Sequence, residues 1–126
     1  MTHRFARSNA LRLAALATGL VATGASAHHG WSWYTTDNFT LTGVVVETHL
    51  GNPHDRLTVD ADGQLWNVVM SPPSRSRRAG FDESVVEVGD SVTMTGKRHA
   101  DANVYEMKTA RIQVEGQTYD LYPTRL

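Results

Sequence analysis

The chain contains no cysteine among its 126 residues. Disulfide bonds, thiolate metal sites and cysteine nucleophiles are therefore excluded, and the hydrophobic core must hold the fold together by itself. The absence does not argue against export, because an oxidising compartment permits disulfides without requiring them.

The sequence also lacks an excess of positive charge, and its formal net charge is -1. Three of its twelve Lys and Arg residues, Arg4, Arg7 and Arg12, precede residue 28, whereas all thirteen Asp and Glu residues follow it. Residues 28–126 therefore carry a formal charge of -4. Phosphate contacts supply most of the affinity for nucleic acid, so we expect no nucleic-acid partner.

Motifs of the common enzyme classes are missing as well. The sequence has no Gly-x-Ser-x-Gly elbow, phosphate-binding loop or zinc-protease motif. Without residues 1–27 only 99 residues remain, which leaves little chain for the broad substrate face of a copper monooxygenase. We expect that the protein is not an enzyme.

The first 27 residues have the pattern of a secretory signal peptide. A basic segment, residues 1–12, precedes an apolar run at Leu13–Ala25, and Ala25-Ser26-Ala27 supplies small residues for cleavage after Ala27. The apolar run is too short for a helix to span a membrane. We expect cleavage, a periplasmic or secreted product and no stable membrane anchor afterwards; an uncleaved amphipathic or anchoring N-terminus is the alternative.

The rest of the chain predicts an arm over residues 28–37 and one domain over residues 38–126. Alternating apolar residues and turn signals indicate strands at 39–48, 57–60, 64–70, 91–97, 104–114 and 118–122. A short helical excursion is expected at 75–79, between the third and fourth strands. Gly43 suggests a bulge or bend, and Val104 is a predicted core residue.

This order of elements is typical of an all-β fold, a small OB-like Greek-key barrel of five to six strands. Strand spacing alone does not separate a barrel from a β-sandwich, which remains the alternative.

Short motifs along residues 28–126 resemble a family of small exported bacterial proteins of unknown function. The motifs are His28-His29-Gly30-Trp31, Thr42-Gly43-Val44, Asn52-Pro53-His54, Pro72-Pro73, Val88-Gly89-Asp90 and Gly116-Gln117-Thr118-Tyr119-Asp120. The order and spacing of these motifs carry the resemblance, since each is short. The family implies no activity. A looser similarity to periplasmic OB-fold proteins implies the same fold and no function.

The histidines suggest a copper site. After cleavage, the α-amino group and imidazole of His28 can chelate one ion, and a second histidine would complete the three-nitrogen planar site that copper(II) favours. His54, which follows Pro53, is the first candidate. This arrangement resembles the histidine brace of copper-binding periplasmic proteins and copper monooxygenases.

Three further residues belong to the predicted metal site. His29 is adjacent to His28, His49 enters the loop that contains His54, and Asp55 can supply an axial oxygen or orient a ligand. The alternatives are a solvated N-terminus for His28 and His29, and a loop-closing hydrogen bond for His54.

A second hypothesis needs no metal. The aromatic arm at Trp31–Tyr34 and the loop at Asn52–His54 would then hold a small ligand or a protein of the cell envelope. The sequence thus leaves two classes of partner open, a metal ion handled without turnover and a ligand or envelope protein.

Overall fold

The computed structural model describes residues 30–126, which form one continuous sheet of six strands. The strands are β1 (Phe39–His49), β2 (Arg56–Ala61), β3 (Gln64–Val69), β4 (Ser91–Arg98), β5 (Glu106–Val114) and β6 (Gln117–Asp120). Helix α1 (Pro73–Arg78) connects β3 to β4, and a 3-10 turn (Pro123–Arg125) follows β6. Residues 1–29 lie outside this description, and with them the predicted signal peptide, His28 and His29.

The first five strands close into a barrel. Neighbours in the order β3-β2-β1-β4-β5-β6 are antiparallel, and β3 also pairs in parallel with β5, with Asn67 opposite Glu106 and Val69 opposite Lys108. This pairing closes the barrel and leaves β6 as an additional strand. The predicted all-β, OB-like barrel with a helix between the third and fourth strands is confirmed, and the alternative β-sandwich is not formed.

The barrel interior is filled by one hydrophobic cluster to which all strands except β6 contribute buried side chains. Its fully buried large side chains are Phe81, Leu57, Met70, Met94, Met107, Ile112, Leu121, Val45, Val59, Val68, Val92 and Val114. The alternation that predicted β4 is visible in its burial, with Val92 and Met94 inside and Ser91 exposed. Burial at this scale supplies the main stabilisation of a cysteine-free domain.

The structure places the irregularity of β1 after Gly43 and not at Gly43, where a bulge was expected. The pairing of β1 with β2 shifts between Val45 and Glu47, two residues further along. Gly43 serves close packing instead, since a Cβ there would overlap Val59 and the carbonyl of Asp60 on β2.

The prediction that Val104 lies in the core is wrong. β5 begins at Glu106, and Val104 is 36% exposed in the preceding loop. Asp101 accounts for the later start of β5. Its carboxylate accepts a hydrogen bond from the amide of Asn103, and its carbonyl accepts one from the amide of Val104. This local turn keeps Val104 out of the ladder.

Within residues 30–126 no helix is long and apolar enough to cross a membrane.

Candidate functional site

The aromatic arm that precedes β1 lies across the outer face of the barrel, beside the seam where β3 meets β5. Its backbone is tied to the end of β4 and the following loop: the amide of Thr35 donates to the carbonyl of Arg98, and the amide of Ala100 donates to the carbonyl of Trp33, both at 2.8 Å. Tyr34 also forms an isolated antiparallel bridge with His99. The arm therefore has a defined position on the barrel.

A chain of three polar side chains joins the arm to both strands of the seam. The hydroxyl of Tyr34 donates to Oε2 of Glu106 at 2.7 Å, and Nδ2 of Asn67 donates to Oε1 of the same carboxylate, also at 2.7 Å. Burial and the bonded Glu106 carboxylate raise the pKa of Tyr34 above its usual value. The phenol thus stays protonated and remains a donor.

Trp31 makes the second anchor of the arm. Its ring packs edge-on against Tyr122, with 5.1 Å between the centroids. Tyr122 is the second residue after the short strand β6, and the backbone amide of Tyr122 donates to the carbonyl of Ala110 in β5. The two aromatic rings therefore connect the arm with the C-terminal end of the fold.

A cavity of about 600 Å³ remains between the arm and the barrel. It is lined by Gly30, Trp31, Trp33, Tyr34, Pro53, His54, Val69, Glu106, Lys108 and Tyr122. Small-molecule sites in proteins fall in the range of about 300–1,000 Å³ and combine apolar walls with a few polar groups. The size and lining of this cavity fit that description.

Lys108 is the unusual member of the lining. It is only 5% exposed, and its ammonium group lies 5.4 Å from the ring centre of Trp31 and 5.8 Å from that of Tyr122. No hydrogen-bond acceptor or carboxylate within residues 30–126 pairs with this ammonium. Burial and the nearby charge of Arg125 lower the pKa of Lys108, with Glu106 opposing them.

His54 contributes an imidazole to the same cavity. It follows Pro53, which is joined to Asn52 by a cis peptide bond. Burial, and then the charge of Lys108, lower the pKa of His54, while Asp55 acts in the opposite direction. The imidazole is therefore neutral at pH 7 and can accept a hydrogen bond or coordinate a metal.

The other described residues of the predicted metal site have different surroundings. Nε2 of His49 lies 2.8 Å from the carboxylate of Glu47 on the exposed side of β1, and His49 does not line the cavity. Asp55 is buried, and its carboxylate accepts a 2.8 Å hydrogen bond from the amide of Gly51. Among residues 30–126 no three His, Asp or Glu side chains are grouped to hold a metal ion.

Sequence reasoning missed Glu106, Lys108 and Tyr122 as site residues. Glu106 and Lys108 occupy outward positions that flank the buried Met107, the ordinary pattern of a solvated strand face. Only the arm, more than 70 residues earlier in the chain, turns that face into the wall of a cavity. No local signal in β5 marks this role.

A family model matches residues 16–109, well over half of the chain, and describes a family of unknown function, DUF6152. The chain belongs to the DUF6152 family. This confirms the resemblance to a family of unknown function, while export remains a prediction. No curated protein matches the DUF6152 chain.

Solved structures similar to this DUF6152 protein share low sequence identity with it. The ZRD-deleted mutant of TiaS in complex with agmatine has a TM-score of 0.50 and 15% identity over 67% of this chain and 26% of its own. The S. pombe Stn1-Ten1 complex has a TM-score of 0.49 and 20% identity over 64% of this chain and 59% of the other. The mitochondrial single-stranded DNA binding protein Rim1 from S. cerevisiae has a TM-score of 0.46 and 12% identity over 63% of this chain and 94% of its own. At such identities a likeness bears on the fold alone.

Proposed function

We propose that this chain is a non-catalytic binding protein of the cell envelope that holds a small molecule in the cavity beneath its aromatic arm. One observation carries the proposal: the arm at Trp31–Tyr34 and the loop that contains His54 line the same 600 Å³ cavity. Envelope location rests on the predicted signal peptide, and absence of catalysis and of nucleic-acid binding stay predictions from the sequence.

Two further features support a binding role. The lining combines the apolar faces of Trp31, Trp33 and Tyr122 with polar groups of different chemistry, which is the usual composition of a ligand site. The arm and cavity also lie between the β1–β2 and β4–β5 loops, and OB folds commonly bind ligands beside these two loops. The second point is an analogy between folds.

Filling the cavity tests the proposal. Val69→Trp places a large side chain in the lining, whereas Leu65→Trp makes the same kind of change on the same outward face of β3, outside the cavity. We expect small aromatic compounds at millimolar concentration to shift the indole NMR signals of Trp31 and Trp33 but not of Trp66. Val69→Trp should abolish these shifts and Leu65→Trp should keep them. Equal responses in the two variants, or none in the unmodified protein, would contradict a binding cavity.

Copper handling without turnover is the second candidate, and it is favoured by the position of Gly30. Gly30 lines the cavity together with His54, and His28 precedes Gly30 by two residues, a chain length of at most about 7 Å. The proposal requires that a free amino group at His28, after cleavage, and the neutral imidazole of His54 bind the same copper ion. The buried cation of Lys108 opposes a metal ion there, so we place this candidate second.

The copper hypothesis needs the exported and processed protein, with its N-terminus verified by mass spectrometry. We expect one tightly bound copper(II) with nitrogen hyperfine structure in its EPR spectrum, and a large loss of affinity in His28→Ala and in His54→Ala. His49→Ala is the control, because His49 contacts Glu47 outside the cavity. Equal copper affinity of the unmodified protein and His28→Ala would end the brace hypothesis.

A further inference from the structure

The geometry around Lys108 points to an organic anion as the ligand of the cavity, namely a carboxylate or phosphate group on a flat, apolar body. This inference rests on the proposed binding function and specifies the chemical class of the ligand. It also separates the two candidate functions, because an anion and a copper ion need opposite charges in the lining.

The ammonium of Lys108 faces the cavity without a protein partner. Only 5% of the Lys108 residue is exposed, and among residues 30–126 its ammonium forms no hydrogen bond or ion pair. Aromatic rings at 5.4 and 5.8 Å compensate part of the lost hydration, and the nitrogen itself is not fully buried, so it retains contact with solvent. A negatively charged group in the cavity would replace that solvent with a stronger, charge-assisted hydrogen bond.

The carboxylates near the cavity already accept hydrogen bonds from the protein. Both oxygens of Glu106 accept hydrogen bonds, one from Tyr34 and one from Asn67. The buried carboxylate of Asp55 accepts its bond from Gly51. An anion entering the cavity would therefore meet Lys108 without displacing an internal ion pair.

Positively charged side chains lie close to the aromatic pair of Trp31 and Tyr122. The guanidinium of Arg125 lies 5.0 Å from the ring centre of Trp31, and that of Arg75 lies 4.6 Å from the ring centre of Tyr122. Lys108 lies close to both rings, so three cations surround one pair of aromatic side chains. Of the three, Lys108 lines the cavity itself, and the carboxylate of Glu106 in the same lining offsets part of its charge. The three cations outnumber that carboxylate, so the local field favours an anion over a cation.

The aromatic walls define the rest of the ligand. Trp31 and Tyr122 meet edge-to-face at an angle of 87° and present flat surfaces of different orientation to the cavity. Flat apolar groups pack well against such rings. His54, neutral at pH 7, can add one hydrogen bond to the ligand.

Three probes of similar size test the inference: phenylacetate, 2-phenylethanol and phenethylammonium. We expect phenylacetate to bind at least tenfold more tightly than either of the others, measured by shifts of the Trp31 and Trp33 indole signals with Trp66 as internal reference. Phenyl phosphate should bind as phenylacetate does, since the shared feature is the anion. Added salt should weaken the binding of the two anions and leave that of 2-phenylethanol unchanged.

Variants assign the preference to Lys108. Lys108→Met keeps the apolar stem and should lower the affinity for phenylacetate at least tenfold while sparing 2-phenylethanol, since a charge-assisted hydrogen bond is lost. Lys108→Arg should retain the preference for anions. Lys97→Met is the matched control, because Lys97 donates to Asn38 and does not line the cavity.

The outcomes separate this inference from the proposed function. Binding of all three probes with equal affinity, or unchanged phenylacetate affinity in Lys108→Met, would overturn the anion preference while the binding cavity stands. Tighter binding of phenethylammonium would do the same and would favour a cationic ligand. No response to any of the probes would overturn both.

Discussion

The hydroxyl of Tyr34 donates a 2.7 Å hydrogen bond to Glu106 across 72 residues of sequence, and this bond links the arm to the strand that closes the barrel. Glu106 also accepts from Asn67 on β3. One carboxylate therefore joins the arm, β5 and β3. Tyr34 and Glu106 also line the cavity, so this connection forms part of its wall.

We predict that Tyr34→Phe lowers the free energy of unfolding by about 1–2 kcal/mol, because it leaves one oxygen of a half-buried carboxylate without its donor. Urea unfolding measures the loss. Tyr105→Phe is the control, since the hydroxyl of Tyr105 makes no hydrogen bond within the described residues and the ring is 44% exposed. Equal stability of the two variants would show that the Tyr34 bond does not hold the arm.

Because the pKa of Tyr34 is raised, the stability of the folded protein should depend on pH in alkaline solution. Its stabilisation is fully present below the pKa of about 10 that tyrosine has in an unfolded chain, and it is lost as the pH rises above that value. We expect the stability of the unmodified protein to decline more steeply above pH 10 than that of Tyr34→Phe. Parallel declines would contradict the assignment.

His54 should titrate below pH 6.5, because burial and the charge of Lys108 disfavour its protonated form. Its contribution to stability is present above pH 6.5 and is lost as the pH falls through the lowered pKa. Imidazole NMR signals measure the titration. Lys108→Met should raise the pKa of His54 part of the way towards its usual value, since burial remains, whereas Lys97→Met should not change it. An unchanged His54 pKa in Lys108→Met would place the two side chains in separate environments.

We predict that Gly96→Ala strongly destabilises the barrel. A Cβ at Gly96 would overlap the backbone carbonyl of Lys108 on the neighbouring strand, where β4 and β5 shift register. Backbone cannot yield as a flexible side chain can, so we expect a loss of about 3 kcal/mol. Gly51→Ala is the control, because a Cβ there meets no atom within 4 Å. A Gly96→Ala protein as stable as Gly51→Ala would contradict this packing.

The buried carboxylate of Asp55 should stabilise the loop between β1 and β2 without any metal. Asp55→Ala leaves the amide of Gly51 without its acceptor and should cost about 1–3 kcal/mol, and Asp55→Asn should cost less. Asp60→Ala removes an equally short bond to Gly63 at an exposed turn and should cost under about 1 kcal/mol. The free energies of unfolding of the three variants are measured in the presence of a chelator, which removes any contribution from bound metal. Equal losses at the two positions would show that burial is not decisive.

The sequence allowed the barrel to be predicted because its signals are local. Alternation identified β4, and Asp62 and Gly63, both with positive φ angles, form the turn between the strands predicted at 57–60 and 64–70. Val104 shows the limit of this approach, because an apolar residue beside a strand was counted into it and the turn formed by Asp101 was overlooked. Periodicity locates strands well and their ends less well.

The candidate site was less accessible to sequence reasoning. The aromatic arm and His54 were recognised from composition and from Pro53, and the structure brings them to one cavity. Lys108 could not be recognised, because its burial results from tertiary contact with Trp31 and Tyr122 rather than from any pattern within β5. His28 and His29 lie outside the described residues, so their part in copper binding remains a prediction.

Strand β5 pairs with three others, with β4 over most of its length, with β3 at its start and with β6 at its end. A protease that cuts the loop at residues 99–105 and releases β5 would therefore expose unpaired backbone on all three strands at once. Unpaired strand edges recruit other chains and promote aggregation. The product of such a cut would be an aggregating fragment and not a smaller folded domain. Proteolytic cleavage in this loop should therefore leave no folded, soluble protein.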